Sequence, residues 1–184
     1  MSHHIIFEGA ELAGKSFVMH GVWDALEKKY NSGQGVMDGC VWLNADVGVY
    51  CTPEGWPFID SYHTVIEALK NRNVLIEKFH LTQAVYEQVA NLEKFSQVEN
   101  NLSDLGFKLV LITMPEDESV VKQRLQERLQ GVPAYERIAK DPSWYLEKQS
   151  KYIEFLEKSK LPHIVIENSN MPNDNYQQVM EWIG

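Results

Sequence analysis

Four residues near the start of the chain have the types and the spacing to bind phosphate. Gly9, Gly14, Lys15 and Ser16 stand at the spacing G-x-x-x-x-G-K-S, between a short apolar run and an amphipathic stretch, which is the context of a phosphate-binding loop. The glycines let the backbone N–H groups turn inward, and the positive end of the following helix dipole favours an anion. Lys15 can reach the β- and γ-phosphates of ATP, and the Ser16 hydroxyl can ligate Mg²⁺. The predicted nucleotide contacts are Gly9, Ala10, Glu11, Leu12, Ala13, Gly14, Lys15, Ser16 and Phe17.

A second group of polar residues, Glu77 and Lys78, closes a short apolar run. A carboxylate at the carboxyl end of a strand, facing the phosphate loop, can hold a water of Mg²⁺ or take a proton from an acceptor hydroxyl. Lys78 can bridge the phosphates of donor and acceptor. We therefore predict that Glu77 acts in catalysis, that Ser16 and Glu77 hold the metal, and that Lys78 contacts the substrate.

Three arginines follow in the second half of the chain. Arg124 and Arg128 are four residues apart in a helical stretch and share a face, and Arg137 lies in the loop beyond. Phosphoryl transfer spreads negative charge over the transferring group, and mobile arginines commonly neutralise it. Together with Lys15 and Glu77 these arginines are the predicted catalytic residues, on a lid near 124–142.

Aromatic side chains near the predicted acceptor loop are candidates to stack on a base. The substrate contacts predicted from this region are Tyr62, Phe79 and Tyr86, beside Lys78. Trp56, Phe58 and His63 are further candidates.

Strand-like and helix-like stretches alternate about five times, which predicts an α/β fold with helices on both faces of a mostly parallel five-stranded sheet. Ligands of such sheets lie beyond the carboxyl ends of the strands, where the phosphate loop and Glu77 both fall. The predicted strands are 4–8, 74–77, 107–114 and 163–167, with a further strand held within 36–45 and centred on residues 40–43. The predicted helices are 15–29, 58–71, 82–92, 95–105, 116–130, 142–158 and 173–183.

Length and composition limit the class of protein. The 184 residues are enough for one domain, 1–184, with a single well-filled core. The net charge of −9 argues against nucleic acid or an anionic membrane as the partner, and leaves a small-molecule nucleotide or nucleoside. We expect Cys40 and Cys51 to be reduced thiols, and we find no signal-peptide or membrane-spanning pattern, so we expect a cytoplasmic protein.

The chain resembles the P-loop kinases of the thymidylate kinase and deoxynucleoside kinase group. Residues 7–16, FEGAELAGKS, match the F-E-G-x-x-x-A-G-K-[ST] pattern of that group. Residues 74–86 resemble its hydrophobic strand followed by D-R-[FY]-x-x-S-x-x-x-Y, and residues 123–128 resemble the R-x-x-x-R helix that leads into the lid. Residues 135–137, 144–145 and 151–152 resemble the lid and its following helix.

This resemblance implies a three-layer α/β/α P-loop NTPase fold and ATP- and Mg²⁺-dependent phosphoryl transfer to a nucleoside monophosphate. A homodimer is also implied, because relatives of this kind are often dimers. The group's D-R pair is Glu77-Lys78 here, and residues 50–57 lack its R-E-P-G-G loop. A deoxynucleoside kinase and a catalytically weak nucleotide-binding protein therefore remain as alternatives. A GTPase is disfavoured, since N-K-x-D and a D-x-x-G after the third strand are both missing.

Overall fold

Five parallel strands form one sheet in the order β2-β3-β1-β4-β5. The computed structural model describes residues 2–44, 48–50, 52–87, 89–169 and 175–184. The strands are β1 His4–Glu8, β2 Val41–Asn44, β3 Val74–Glu77, β4 Phe107–Thr113 and β5 His163–Glu167. β1 and β3 are buried along their whole length, as expected for strands that helices cover on both faces.

Helices cover both faces of the sheet, so the predicted three-layer α/β/α fold is confirmed. The helices are α1 Lys15–Tyr30, α2 Gly55–Ala68, α3 His80–Tyr86, α4 Leu92–Asp104, α5 Glu118–Gly131, α6 Pro142–Glu157 and α7 Asn175–Ile183, with a short 3-10 helix at Pro133–Arg137. α1 and α7 pack their apolar side chains on one face of the sheet. α2 to α6 pack on the other face around a larger apolar core.

Parallel pairing brings the chemically interesting strand ends together. In the β1–β3 pair Phe7 is the partner of Glu77, and in the β2–β3 pair Asn44 is the partner of Glu77. The phosphate loop leaves β1 two residues after Phe7, so Glu77 and this loop lie at the same edge of the sheet.

Several element bounds differ from the sequence prediction, and at the start of α3 a side chain from elsewhere in the fold explains the difference. The strand predicted within 36–45, centred on residues 40–43, is β2, which begins at Val41 and ends at Asn44. Ala45, the last residue of this range, lies outside the described residues. The predicted helix 82–92 begins instead at His80 and ends at Tyr86, because the Glu8 carboxylate accepts the hydrogen bonds of its first turn.

Other predicted helices also shift: 95–105 is observed as Leu92–Asp104, and 116–130 as Glu118–Gly131. The predicted helix 58–71 begins instead at Gly55 and ends at Ala68. The closing helix was predicted from residue 173, which lies outside the described residues, and is described from Asn175. In the described part of the chain, no helix combines the length and the apolar character needed to cross a membrane.

Candidate active site

The loop between β1 and α1 curls because glycine occupies two positions with positive φ. Gly9 has φ 140°, and a Cβ there would lie 2.1 Å from the carbonyl oxygen of Ile112. Gly14 has φ 85° and precedes the first residue of α1. Any other residue at position 9 would push the loop away from β4, so glycine at this position is a geometric requirement.

Lys15, the first residue of α1, is buried, and its side chain reaches back into this loop. Its Nζ donates hydrogen bonds to the carbonyl oxygens of Gly9, at 2.7 Å, and Ala10, at 2.9 Å. Burial, together with repulsion from Lys78, lowers the pKa of Lys15 from 10.5 to about 8. The ammonium group is thus held inside the loop, where a bound phosphate would replace the carbonyl oxygens as its partner.

Ser16 and Glu77, the two predicted metal ligands, are in contact. The Ser16 hydroxyl donates a hydrogen bond of 2.6 Å to Oε1 of the buried Glu77. Two hard oxygen donors beside a phosphate loop suit Mg²⁺, which usually takes one or two protein ligands and completes its shell with phosphate and water. Among the described residues, no cluster of three or more His, Cys, Asp or Glu side chains suited to a metal occurs.

A cavity of about 420 Å³ opens over the loop. Four cationic side chains line it in the described part of the chain, those of Lys15, Lys78, Arg124 and Arg128. Carboxylates from the loop, from β3 and from α5 line it as well: Glu11, Glu77 and Glu127. A cavity with this balance of charge favours a polyanion that carries a divalent cation.

The three predicted lid arginines occupy different environments. Arg124 donates to the carbonyl oxygens of Leu12, at 3.1 Å, and Asn168, and it therefore braces the phosphate loop. Arg128 is exposed at the cavity rim, with its guanidinium 5.4 Å from the ring centre of Tyr135. Arg137 is exposed and donates to the carbonyl oxygen of Ala134 at 3.3 Å. It does not line the cavity, so the structure brings only Arg124 and Arg128 to the loop among these three.

The segment after α5 closes one side of the cavity through Tyr135. Its hydroxyl donates to the Glu11 carboxylate and lies 3.3 Å from the hydroxyl of Tyr145. The Tyr145 hydroxyl in turn accepts a hydrogen bond of 3.1 Å from the Lys140 backbone N–H. A chain of hydrogen bonds thus runs from the phosphate loop to the start of α6.

The aromatic residues predicted to contact a substrate do not line this cavity. Phe79 is only 1% exposed and belongs to the apolar core, so its ring offers little surface to a ligand in this conformation. Tyr62 is half-buried and packs against Phe58 and Phe79. Tyr86 is half-buried beside Trp144. Cys51 and residues 45–47 of the predicted acceptor loop lie outside the described residues.

Sequence reasoning missed two residues that hold the site in shape. Glu8, fully buried, accepts from the backbone N–H groups of Phe79, Leu81 and Thr82, at 2.9, 3.1 and 3.3 Å. It joins the phosphate-loop strand to the turn that carries Glu77, and its place in the F-E-G pattern was the available signal. Asn168 follows β5 and donates to the carbonyl oxygen of Ala13 at 2.8 Å. Only its position after a strand could have drawn attention to it.

The fold has solved counterparts, although no protein-family model and no curated protein sequence matches the chain. The YorR protein of Bacillus subtilis, in a crystal structure with phosphorylated GDP, superimposes with a TM-score of 0.67 and 16% identity over 97% of this chain and 94% of that chain. Thymidylate kinase from Ehrlichia chaffeensis gives a TM-score of 0.59 and 14% identity over 100% and 99% of the two chains. A sugar kinase from a Janibacter species gives a TM-score of 0.60 and 16% identity over 100% of this chain and 95% of that chain.

The fold is that of the P-loop kinases. In the P-loop kinase fold the strand order and the loop after β1 set the place of the site, whereas the acceptor depends on side chains that differ from one kinase to another. At identities of 14–16% the comparisons therefore define the architecture of this chain and leave its chemistry to be argued from its own residues.

Proposed function

We propose that this protein transfers the γ-phosphoryl group of ATP to a small-molecule nucleotide, with a nucleoside monophosphate as the acceptor. The observation that carries the proposal is the 2.6 Å hydrogen bond between Ser16 and Glu77. It joins the phosphate loop to the carboxylate at the end of β3, at the place where donor phosphates and acceptor would meet.

On the donor side, the curled loop offers backbone N–H groups and the N-terminus of α1 to the phosphates of ATP. Lys15 moves from the carbonyl oxygens of Gly9 and Ala10 to the β- and γ-phosphates. Ser16 and Glu77 would hold Mg²⁺, which would supply charge neutralisation at the phosphate oxygens when bound. Arg128, at the rim of the cavity, approaches the transferring group as the lid closes.

On the acceptor side, the position of Glu77 beside Ser16 favours a phosphate acceptor over a hydroxyl acceptor. Its Oε1 accepts the Ser16 hydrogen bond, which places the carboxylate beside the other predicted metal ligand and suits a group that orients the metal shell. A monophosphate is ionised and needs no base, whereas a nucleoside hydroxyl does. Lys78, which lines the same cavity, supplies positive charge between the two phosphates. The structures of YorR with phosphorylated GDP and of thymidylate kinase support a nucleotide in a fold of this kind.

A panel of acceptors tests the proposal. Nucleosides and nucleoside monophosphates of each base are incubated with ATP or GTP and Mg²⁺, and release of ADP or GDP is followed, with Lys15→Met as the matched inactive variant. We expect one or more monophosphates to give turnover that Lys15→Met lacks. Turnover with nucleosides and none with monophosphates would support the deoxynucleoside kinase alternative. Nucleotide binding without turnover on any acceptor would support the catalytically weak alternative.

A further inference from the structure

Lys78 has a backbone conformation that its residue type disfavours. Its φ is +62°, in the left-handed region that a residue with a Cβ rarely occupies. Such strain persists only where the surrounding structure holds the backbone in place, and it gathers at functional sites. Lys78 also lines the cavity over the phosphate loop.

Three hydrogen bonds hold the two peptide groups that flank Lys78. The backbone N–H of Lys78 donates to the carbonyl oxygen of Phe7 at 3.0 Å and extends the β1–β3 pairing by one residue. In the next peptide group, the Phe79 N–H donates to Glu8 at 2.9 Å. The carbonyl oxygen of Lys78, in that same peptide group, accepts a hydrogen bond of 2.9 Å from the hydroxyl of Tyr50.

Tyr50 is well suited to this contact. Its side chain is fully buried, and the ring packs edge-on against Phe58. Burial and the nearby charge of Glu8 raise the pKa of Tyr50, so the hydroxyl stays protonated and remains a donor. Because Tyr50 follows β2 and Lys78 follows β3, the hydrogen bond joins the loops after two neighbouring strands.

We propose that Tyr50 is a positioning residue, which holds Lys78 in its left-handed conformation so that the ammonium group stays in the phosphate cavity. The proposal rests on the phosphoryl-transfer function given above for the part that concerns turnover. Tyr50 does not touch the reacting atoms; it acts through the peptide group between Lys78 and Phe79. Without the hydroxyl, this peptide group keeps, among the described residues, only its Glu8 contact. Lys78 is then released to ordinary backbone angles that carry its side chain away from the cavity.

A double-mutant cycle separates this role from a general contribution to folding. Tyr50→Phe keeps the buried ring and removes only the hydroxyl, and Lys78→Met removes the ammonium group. We expect Tyr50→Phe to lower kcat by about tenfold in the wild-type background, since small displacements of a positioned group cost this much or more. In the Lys78→Met background the same substitution should change kcat by less than about twofold, because the group that Tyr50 positions is already missing. An equal fold loss in both backgrounds would overturn the proposal.

Tyr30→Phe is the matched control. Tyr30 also has a hydroxyl with one hydrogen-bond partner, Nε2 of His3 at 3.0 Å, and it ends α1 on the side away from the phosphate loop. We expect kcat of Tyr30→Phe to stay at the wild-type value. A loss equal to that of Tyr50→Phe would show that any lost tyrosine hydroxyl has this effect, and would overturn the proposal.

A crystal structure of Tyr50→Phe gives a second readout that does not need activity. We expect φ of Lys78 to leave the left-handed region, and a φ that stays near +62° would overturn the proposal. If the wild-type protein transfers phosphate to no acceptor in the panel, the proposed function fails, whereas this crystal structure still decides whether Tyr50 holds Lys78.

Discussion

The hydroxyl of Tyr135 donates a hydrogen bond to the carboxylate of Glu11 and ties the segment after α5 to the phosphate loop. Glu11 belongs to the loop itself, and Tyr135 lies in the 3-10 helix at Pro133–Arg137. Arg128 packs over the same tyrosine ring. A movement of this segment therefore changes the surroundings of the loop and the place of one rim arginine together, as a lid over the phosphates requires.

Removing the Tyr135 hydroxyl should loosen the proposed lid. We expect Tyr135→Phe to be cut faster by a protease near residues 131–141, because local opening costs less free energy after the contact with Glu11 is lost. A bisubstrate analogue of ATP and the acceptor should slow the cutting in the wild-type protein. Limited proteolysis with mass spectrometry measures both rates, with Tyr30→Phe as the control. Protection by the analogue everywhere except 131–141 would contradict a lid at this segment.

Binding of ATP and Mg²⁺ should raise the melting temperature, and Lys15 should supply most of the effect. A ligand that binds only the folded state stabilises it by mass action, by about 2.7 kcal/mol at a hundred times the dissociation constant. Lys15→Met removes the charge that meets the β- and γ-phosphates while keeping a side chain of similar length. Thermal unfolding with and without the nucleotide checks this, and equal shifts in the two proteins would remove Lys15 from the phosphate site.

The lowered pKa of Lys15 makes the free energy of unfolding depend on pH in a direction that can be worked out. In the folded protein the pKa is about 8, against the ordinary 10.5, so between these two values the unfolded chain binds more protons than the folded one. The free energy of unfolding should therefore rise with pH across this window, and the stability is lost again as pH falls through 8. Urea unfolding at pH 7 to 10 tests this. Lys15→Met should lack the rise, and parallel profiles for the two proteins would refute the assignment.

Glu77→Gln should lower turnover by about 100-fold and leave ATP affinity nearly unchanged. Groups that orient a metal shell or move a proton act mainly in the transition state, so their loss falls on kcat rather than on ground-state binding. Glutamine keeps the size of the side chain and can still accept the Ser16 hydrogen bond. Steady-state kinetics on the acceptor that the panel identifies, with ATP titrations in parallel, provide the measurement. Near-wild-type turnover would take Glu77 out of the chemistry.

Lys78→Gly should make the protein more stable and less active. Glycine adopts a φ of +62° without steric cost, so relief of the strain should add about 1 kcal/mol to the free energy of unfolding, partly offset by the greater freedom of the unfolded chain. Lys78→Ala is the matched control, since it removes the same charge and keeps the strain. Denaturant unfolding of the three proteins measures the effect. Equal stability of the glycine and alanine variants would show that the left-handed conformation carries no strain.

The phosphate loop and most strands could be predicted from the sequence, because short stretches of residue types and spacings indicate them. The spacing of Gly9, Gly14, Lys15 and Ser16 predicts the phosphate loop, and β1, β3 and β5 have the predicted bounds. The alternation of strands and helices then left few topologies, of which the parallel three-layer sheet is the one observed. Glu77 was placed near the loop because parallel strands bring their carboxyl ends to one edge.

Only the tertiary structure decided which side chains meet at that edge. Tyr50 and Lys78 are 28 residues apart, and Glu11 and Tyr135 are 124 residues apart, so no periodicity or spacing links either pair. The start of α3 depends on Glu8, which comes 72 positions before it, and the burial of Phe79 depends on packing between helices. Such contacts arise when the packed layers bring distant segments within hydrogen-bond range. A residue type can indicate the chemistry of a site, but its partners depend on how the layers pack.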